Sequence, residues 1–153
     1  MGHTMMEPAE RVHETKTHLI EEIAVMLGGR AAENLVFKEM TSGAADDIAK
    51  ATQVARTMVV EFGMSELGPI NLDPEKNTPY EQTPISPDMA AKIDLQIKQI
   101  TDAGYKAALQ ILTKLRRKLD VLAAELLKTE TIEQEEFLRI IGPKKLALIK
   151  VKF

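Results

Sequence analysis

Apolar residues recur at helical spacing along most of this chain. Leu19, Ile20, Ile23 and Leu27 follow Thr15, a residue suited to an N-cap, and predict a first helix from about Lys16 onward. Gly28-Gly29 then interrupts the pattern, and Arg30 to Val36 resumes it. Two adjacent glycines cost about 1 kcal/mol each inside a helix, so they mark either a break or a place where something packs against the backbone. Thr41-Ser42-Gly43 punctuates the chain again. Beyond it, Ala44, Ile48, Ala51, Ala55, Met58, Val59 and Phe62 form a stripe that is small at its start and bulky at its end. A partner can therefore approach closely near Ala51 and Ala55. Gly63 is placed to terminate this helix as a C′ residue.

Residues 68–87 hold several prolines and no period, which reads as a surface loop, with a short extended run possible at Pro69 to Leu72. Ser86-Pro87-Asp88 combines an N-cap, a proline at the first helical position and an acid in the first turn. Ile93, Ile97, Ile100, Gly104, Ala107 and Ile111 follow at spacings of 4, 3, 4, 3 and 4, a seam for packing on another helix, with close approach at Gly104 and Ala107. Leu115, Leu119, Leu122 and Leu126 continue the apolar face after a bend expected near Lys114 to Lys118. Thr131 with Gln134 suggests a capping box for a last short helix ending at Gly142-Pro143. The organisation expected is a loop or strand segment at 1–14, a helical core at 15–141 carrying the 68–87 loop, and a Lys-rich tail at 142–153.

Composition narrows the functional classes. Of 153 residues, 44% are hydrophobic and 28% charged, the balance of one soluble globular domain. The net charge of -3 argues against nucleic acid as a partner, and aromatics at 4% make a base-stacking platform improbable. The absence of Cys removes disulfides, thiolate nucleophiles and thiolate metal sites. With only three His, a metal site must lean on carboxylates. No stretch approaches the roughly 20 apolar residues of a membrane span, and Met1 to Glu10 lacks the apolar core of a secretory signal. A cytoplasm-compatible chain is expected.

His13-Glu14-Thr15-Lys16-Thr17-His18 imitates the zincin HExxH but has one residue too many. Histidines at i and i+4 lie about 40° apart on a helix, whereas at i and i+5 they lie about 140° apart and cannot share one ion. A solvated pair is the expectation, with His18 directed away from the Leu19/Ile23/Leu27 stripe. Asp46 and Asp47 both suit the positive end of a helix dipole. At about 100° per residue, Asp46 lies nearly opposite the apolar stripe and Asp47 on its edge, one turn before Ala51. A carboxylate turned toward a core needs a cation, either a metal or an arginine. Arg30 and Glu33, three apart, are candidates for a pair on one helix face, and Glu33 for an acceptor supporting a nearby site.

Leu27-Gly28-Gly29-Arg30-Ala31-Ala32-Glu33, Val36-Phe37, Thr41 to Ile48 with Ala51-Thr52, Phe62 to Ser65 and Leu67-Gly68-Pro69 together resemble the peptidase domain of the FtsH-type ATP-dependent zinc metalloproteases. Weaker similarity runs on to about Ile141, and Gly2 to Pro8 resembles the segment after that family's zinc-binding helix. The resemblance implies an all-α fold in which Asp47 is the third zinc ligand. It also implies that Gly28, Gly29, Arg30, Glu33, Thr41 and Gly43 support the site. Two His ligands and the catalytic Glu would come from an HExxH helix, yet none of the 153 residues forms that motif, and no Gly-rich phosphate loop is present.

The expectation is thus an N-terminally truncated peptidase domain, the C-terminal fragment of a longer protease, with no catalytic residue of its own and no activity in isolation. Zinc would belong to the parent, and ATP only to an ATPase domain outside these residues. Protein substrates, a homo-hexameric parent and a location in the cytoplasm or on the cytoplasmic face of the inner membrane follow from the same resemblance. The alternative is a non-catalytic helical module that keeps the scaffold as an oligomerisation or adaptor surface. An exposed apolar groove is expected along the Ala44 to Phe62 stripe, for want of its packing partner.

Overall fold

The computed structural model describes residues 14–72 and 85–142. These residues form six α-helices and one 3₁₀ turn, with no strand among them, so the fold is all-α. The segment at 1–13, the middle of the 68–87 loop and the tail beyond Gly142 lie outside the described residues.

Helix α1 (Lys16–Met26) begins as expected, the Thr15 hydroxyl accepting from the His18 N–H at 3.2 Å. It breaks at Leu27, and α2 (Gly28–Phe37) starts directly afterwards. A Cβ on Gly28 or Gly29 would meet nothing within 4 Å. Of the two readings of the glycine pair, the break is the one realised, and a side chain at either position would stand in open space. Helix α2 leaves through Lys38, left-handed at φ 55, whose N–H bonds back to the Asn34 carbonyl.

After the 3₁₀ turn (Ser42–Ala44), helix α3 (Ala45–Val60) buries Ala51, Ala55, Met58 and Val59 against α1 and helix α4 (Pro87–Lys114). Along its stripe only Ile48 at 40% and Phe62 at 49% exposure stay open, in place of a groove along its whole length. Helix α3 stops at Val60, short of Gly63. The Phe62 N–H reaches the Thr57 carbonyl and the Met64 N–H the Met58 carbonyl, so the chain curls over the helix end first. Gly63 (φ 60) lies within that curl, where an added Cβ would stand 3.0 Å from Pro69 Cα. The run Pro69 to Leu72 is irregular instead of extended, because the Leu72 N–H turns back to the Val60 carbonyl at 3.0 Å.

Helix α4 is the central element. Ser86 caps it by accepting from the Met89 N–H, with Pro87 at the first position and Asp88 in the first turn. Its seam of Ile93, Ile97, Ile100, Gly104 and Ala107 is buried, and α1, α2 and α3 all pack on it. At Gly104 the contact is so close that an added Cβ would overlap the Ile23 side chain, lying 3.1 Å from Ile23 Cβ. Gln96 is buried too, its amide oxygen accepting from the Glu66 N–H and its nitrogen donating to Gln99.

The bend falls at Leu115, and α5 (Arg116–Thr129) and α6 (Gln134–Ile141) follow as a helical hairpin. The Thr131–Gln134 capping box does not form. Glu130 is left-handed (φ 62), and the Thr129 hydroxyl donates to the Thr131 carbonyl, which draws Thr131 into the end of α5. Helix α6 therefore starts later, from Glu133, with no side-chain cap. Neither helix contributes a buried residue. No described helix is long and apolar enough to cross a membrane.

Candidate functional site

The candidate ligand Asp47 stands in the first turn of α3 beside Asp46. Four residues singled out from the sequence converge immediately before that turn. Arg30 and Glu33, on one face of α2, both take hold of Thr41 instead of pairing with each other. Glu33 Oε1 accepts from the Thr41 hydroxyl at 2.8 Å, and its Oε2 from the Thr41 N–H at 3.3 Å. Arg30 Nη1 donates to the Thr41 carbonyl at 3.1 Å, while Nη2 reaches Met40 Sδ. The Thr41 hydroxyl in turn accepts from the Gly43 N–H at 3.2 Å, so it caps the 3₁₀ turn and donates to Glu33 at once. A Cβ on Gly43 would press to 3.3 Å of that oxygen. All three polar groups of Thr41 are thus used, and the start of α3 is tied to α2.

Glu33 is held below its ordinary carboxylate value, chiefly by the Thr41 hydroxyl, then by the Thr41 N–H, with Arg30 adding a smaller attraction. Two further bonds hold α2 itself. Asn34 donates to the Tyr105 hydroxyl at 2.9 Å, and Arg116 donates to the Leu35 carbonyl at 3.2 Å. These residues escape a sequence reading, because 71 and 81 positions separate the partners and no local pattern links them.

Both aspartates are exposed. Asp47 stands one turn before the buried Ala51, yet it is exposed like Asp46 and not turned into the core as the stripe argument expected, and Ile48 beside it is open as well. Gly28 and Gly29 open α2 just before Arg30, and a side chain at either position would meet nothing within 4 Å. His18 is half-buried and not freely solvated. Its ring lies 3.4 Å from Glu14, 3.5 Å from Glu22 and 4.0 Å from Glu21, on α1. His13 lies outside the described residues. Among the described residues, no three His, Asp or Glu side chains converge so as to hold a metal. The described residues alone do not fit a zinc centre, which needs three protein ligands. Any metal at Asp47 must draw its other donors from elsewhere.

Comparison with known proteins points the same way as the motif. The family model for Peptidase family M41 matches residues 1–140. The ATP-dependent zinc metalloprotease FtsH of Pseudothermotoga lettingae is 42% identical over 149 residues, covering 92% of this chain and 24% of the relative. The FtsH of Thermotoga maritima is 40% identical over 150 residues, covering 93% and 25%. That of Mycobacterium leprae is 41% identical over 143 residues, covering 88% and 18%. The chain spans about a quarter or less of the length of these relatives. With the ordered motif from Leu27 to Pro69 on an all-helical frame and a family match over residues 1–140, this chain belongs to peptidase family M41.

Proposed function

We propose that this chain is the zinc-ligand-bearing C-terminal part of an FtsH-type ATP-dependent metallopeptidase, and that Asp47 is the third ligand to its zinc. In this reading residues 15–141 are the helical core of the peptidase domain. The observation that carries it is the clasp of Arg30, Glu33 and Thr41, which fixes the start of α3 and so the point from which Asp47 projects. A ligand must be held to within fractions of an ångström, and a support that uses every polar group of Thr41 is suited to that. The two histidines and the general base come from outside these 153 residues, which contain no HExxH. ATP acts through a separate domain, proteins are the substrates, and the assembled parent is a homo-hexamer on the cytoplasmic side of the membrane.

The isolated chain then hydrolyses no peptide and holds zinc loosely. The test is a chimera in which these residues replace the matching segment of the Thermotoga maritima relative. It should digest casein in a chelator-sensitive manner. Asp47→Asn should reduce hydrolysis to background and deplete bound zinc, while Asp46→Asn should leave both unchanged. Equal loss from the two substitutions, or tight stoichiometric zinc in the isolated chain, rules the assignment out.

A further inference from the structure

The α5–α6 hairpin carries an apolar seam that no described element covers. Leu119, Leu122 and Leu126 lie on one stripe of α5, and Phe137, Leu138 and Ile141 on one stripe of α6. All of these are only partly covered, with Leu126, Phe137 and Leu138 at 42–47% exposure. Two amphipathic helices that pack on each other leave the far side of their shared seam open, and a third element is needed to close it.

We propose that residues 143–153 of this same chain are that element, docking along the seam and closing it by apolar contact and opposite charge. The segment leaves directly from Gly142, at the end of α6. It holds Leu146, Ala147, Leu148, Ile149, Val151 and Phe153 among four lysines and no acid. The far part of the hairpin is its electrostatic complement. From Glu125 to Glu136 it bears five carboxylates against the single Lys128. Lys128 pairs with Glu125 and Arg139 with Glu136, while Glu130, Glu133 and Glu135 make no ion pair with a described residue. Reach is sufficient, since eleven residues span up to about 36 Å when extended, against about 21 Å for a 14-residue helix such as α5. The same lysines would also suit an anionic lipid surface, and the seam a second copy of the chain.

Hydrogen exchange on the full chain and on a chain ending at Gly142 separates these occupants. Removal of 143–153 should speed amide exchange in α5 and α6 at least tenfold and leave α1, α3 and α4 unchanged. A synthetic peptide of residues 143–153, added in trans, should restore the protection, less effectively as salt is raised. Unchanged exchange in α5 and α6 on truncation overturns the proposal. Protection that depends on protein concentration also overturns it, in favour of a second copy. Loss of binding to phosphatidylserine vesicles on truncation, with the hairpin unaffected, overturns it in favour of a membrane.

Discussion

Glu33 shows how much one side chain can organise here. Its two oxygens fix both the backbone and the hydroxyl of Thr41, eight positions away, and the same contacts lower its pKa from the ordinary 4.5. A carboxyl whose folded-state pKa is depressed stabilises the fold above its unfolded value. That contribution disappears as the pH falls through the folded value. The clasp should therefore be intact at neutral pH and open only in acid below the normal carboxylate range. An NMR titration of the Thr41 and Gly43 amides should show a transition below pH 4.5 in the native chain, absent from Glu33→Gln. In the chimera with the FtsH relative, Glu33→Gln should lower zinc affinity by roughly 10–100-fold, the usual effect of removing a group that orients a ligand. A transition unaltered by Glu33→Gln would place the titration elsewhere. The sequence spacing of Arg30 and Glu33 suggested a mutual pair. Spacing along one helix shows which residues share a face, but not that a third residue comes within reach of both.

Helix boundaries were legible where a local signal governs them. Thr15 and Ser86 cap their helices as their types dictate, and Pro87 sits in the first turn, where a backbone N–H has no partner within the helix. The signals failed where a neighbouring turn competed. Thr131 is engaged by Thr129 at the end of α5. Gly63, by contrast, is left-handed in the turn that closes α3, as expected of a C′ glycine, though the regular helix already stops at Val60, and it also admits Pro69. Two helices, α2 and α5, end on left-handed residues that are not glycine, Lys38 and Glu130. The left-handed conformation costs a side-chain-bearing residue roughly 1–2 kcal/mol, and glycine returns about 0.5–1 of that as backbone entropy. Lys38→Gly should thus raise stability by up to about 1 kcal/mol, visible as a higher urea midpoint at unchanged m-value. A lower midpoint would mean that the Lys38 side chain makes contacts worth more than its backbone strain.

At the level of the whole molecule, stability is divided unevenly. The core is shared by α1, α3 and α4, with Ile20, Ile23, Met58 and Val59 all but inaccessible, while α5 and α6 contribute no buried residue. Ile23→Ala should cost about 2–5 kcal/mol, the range for truncating a buried aliphatic side chain. Leu127→Ala, at 87% exposure, should change stability by no more than about 0.5 kcal/mol. Urea denaturation followed by circular dichroism measures both, and comparable losses would show that the hairpin is buried in solution to an extent not seen here.

Taken by itself, the sequence determined the helical class, the order of the helices, the α4 seam and the need for close approach at Gly104. All of these follow from periodicity, capping chemistry and side-chain size, which act over a few residues. It also carried the M41 motif, because the blocks of that motif follow one another in order between Leu27 and Pro69. Only the tertiary structure decided that Arg30 and Glu33 meet on Thr41, that Asn34 and Arg116 hold α2 through partners far along the chain, and that the first turn of α3 lies open around Asp47. Those facts depend on where α2 and α4 place distant residues relative to one another, and no pattern read along a single helix contains that distance.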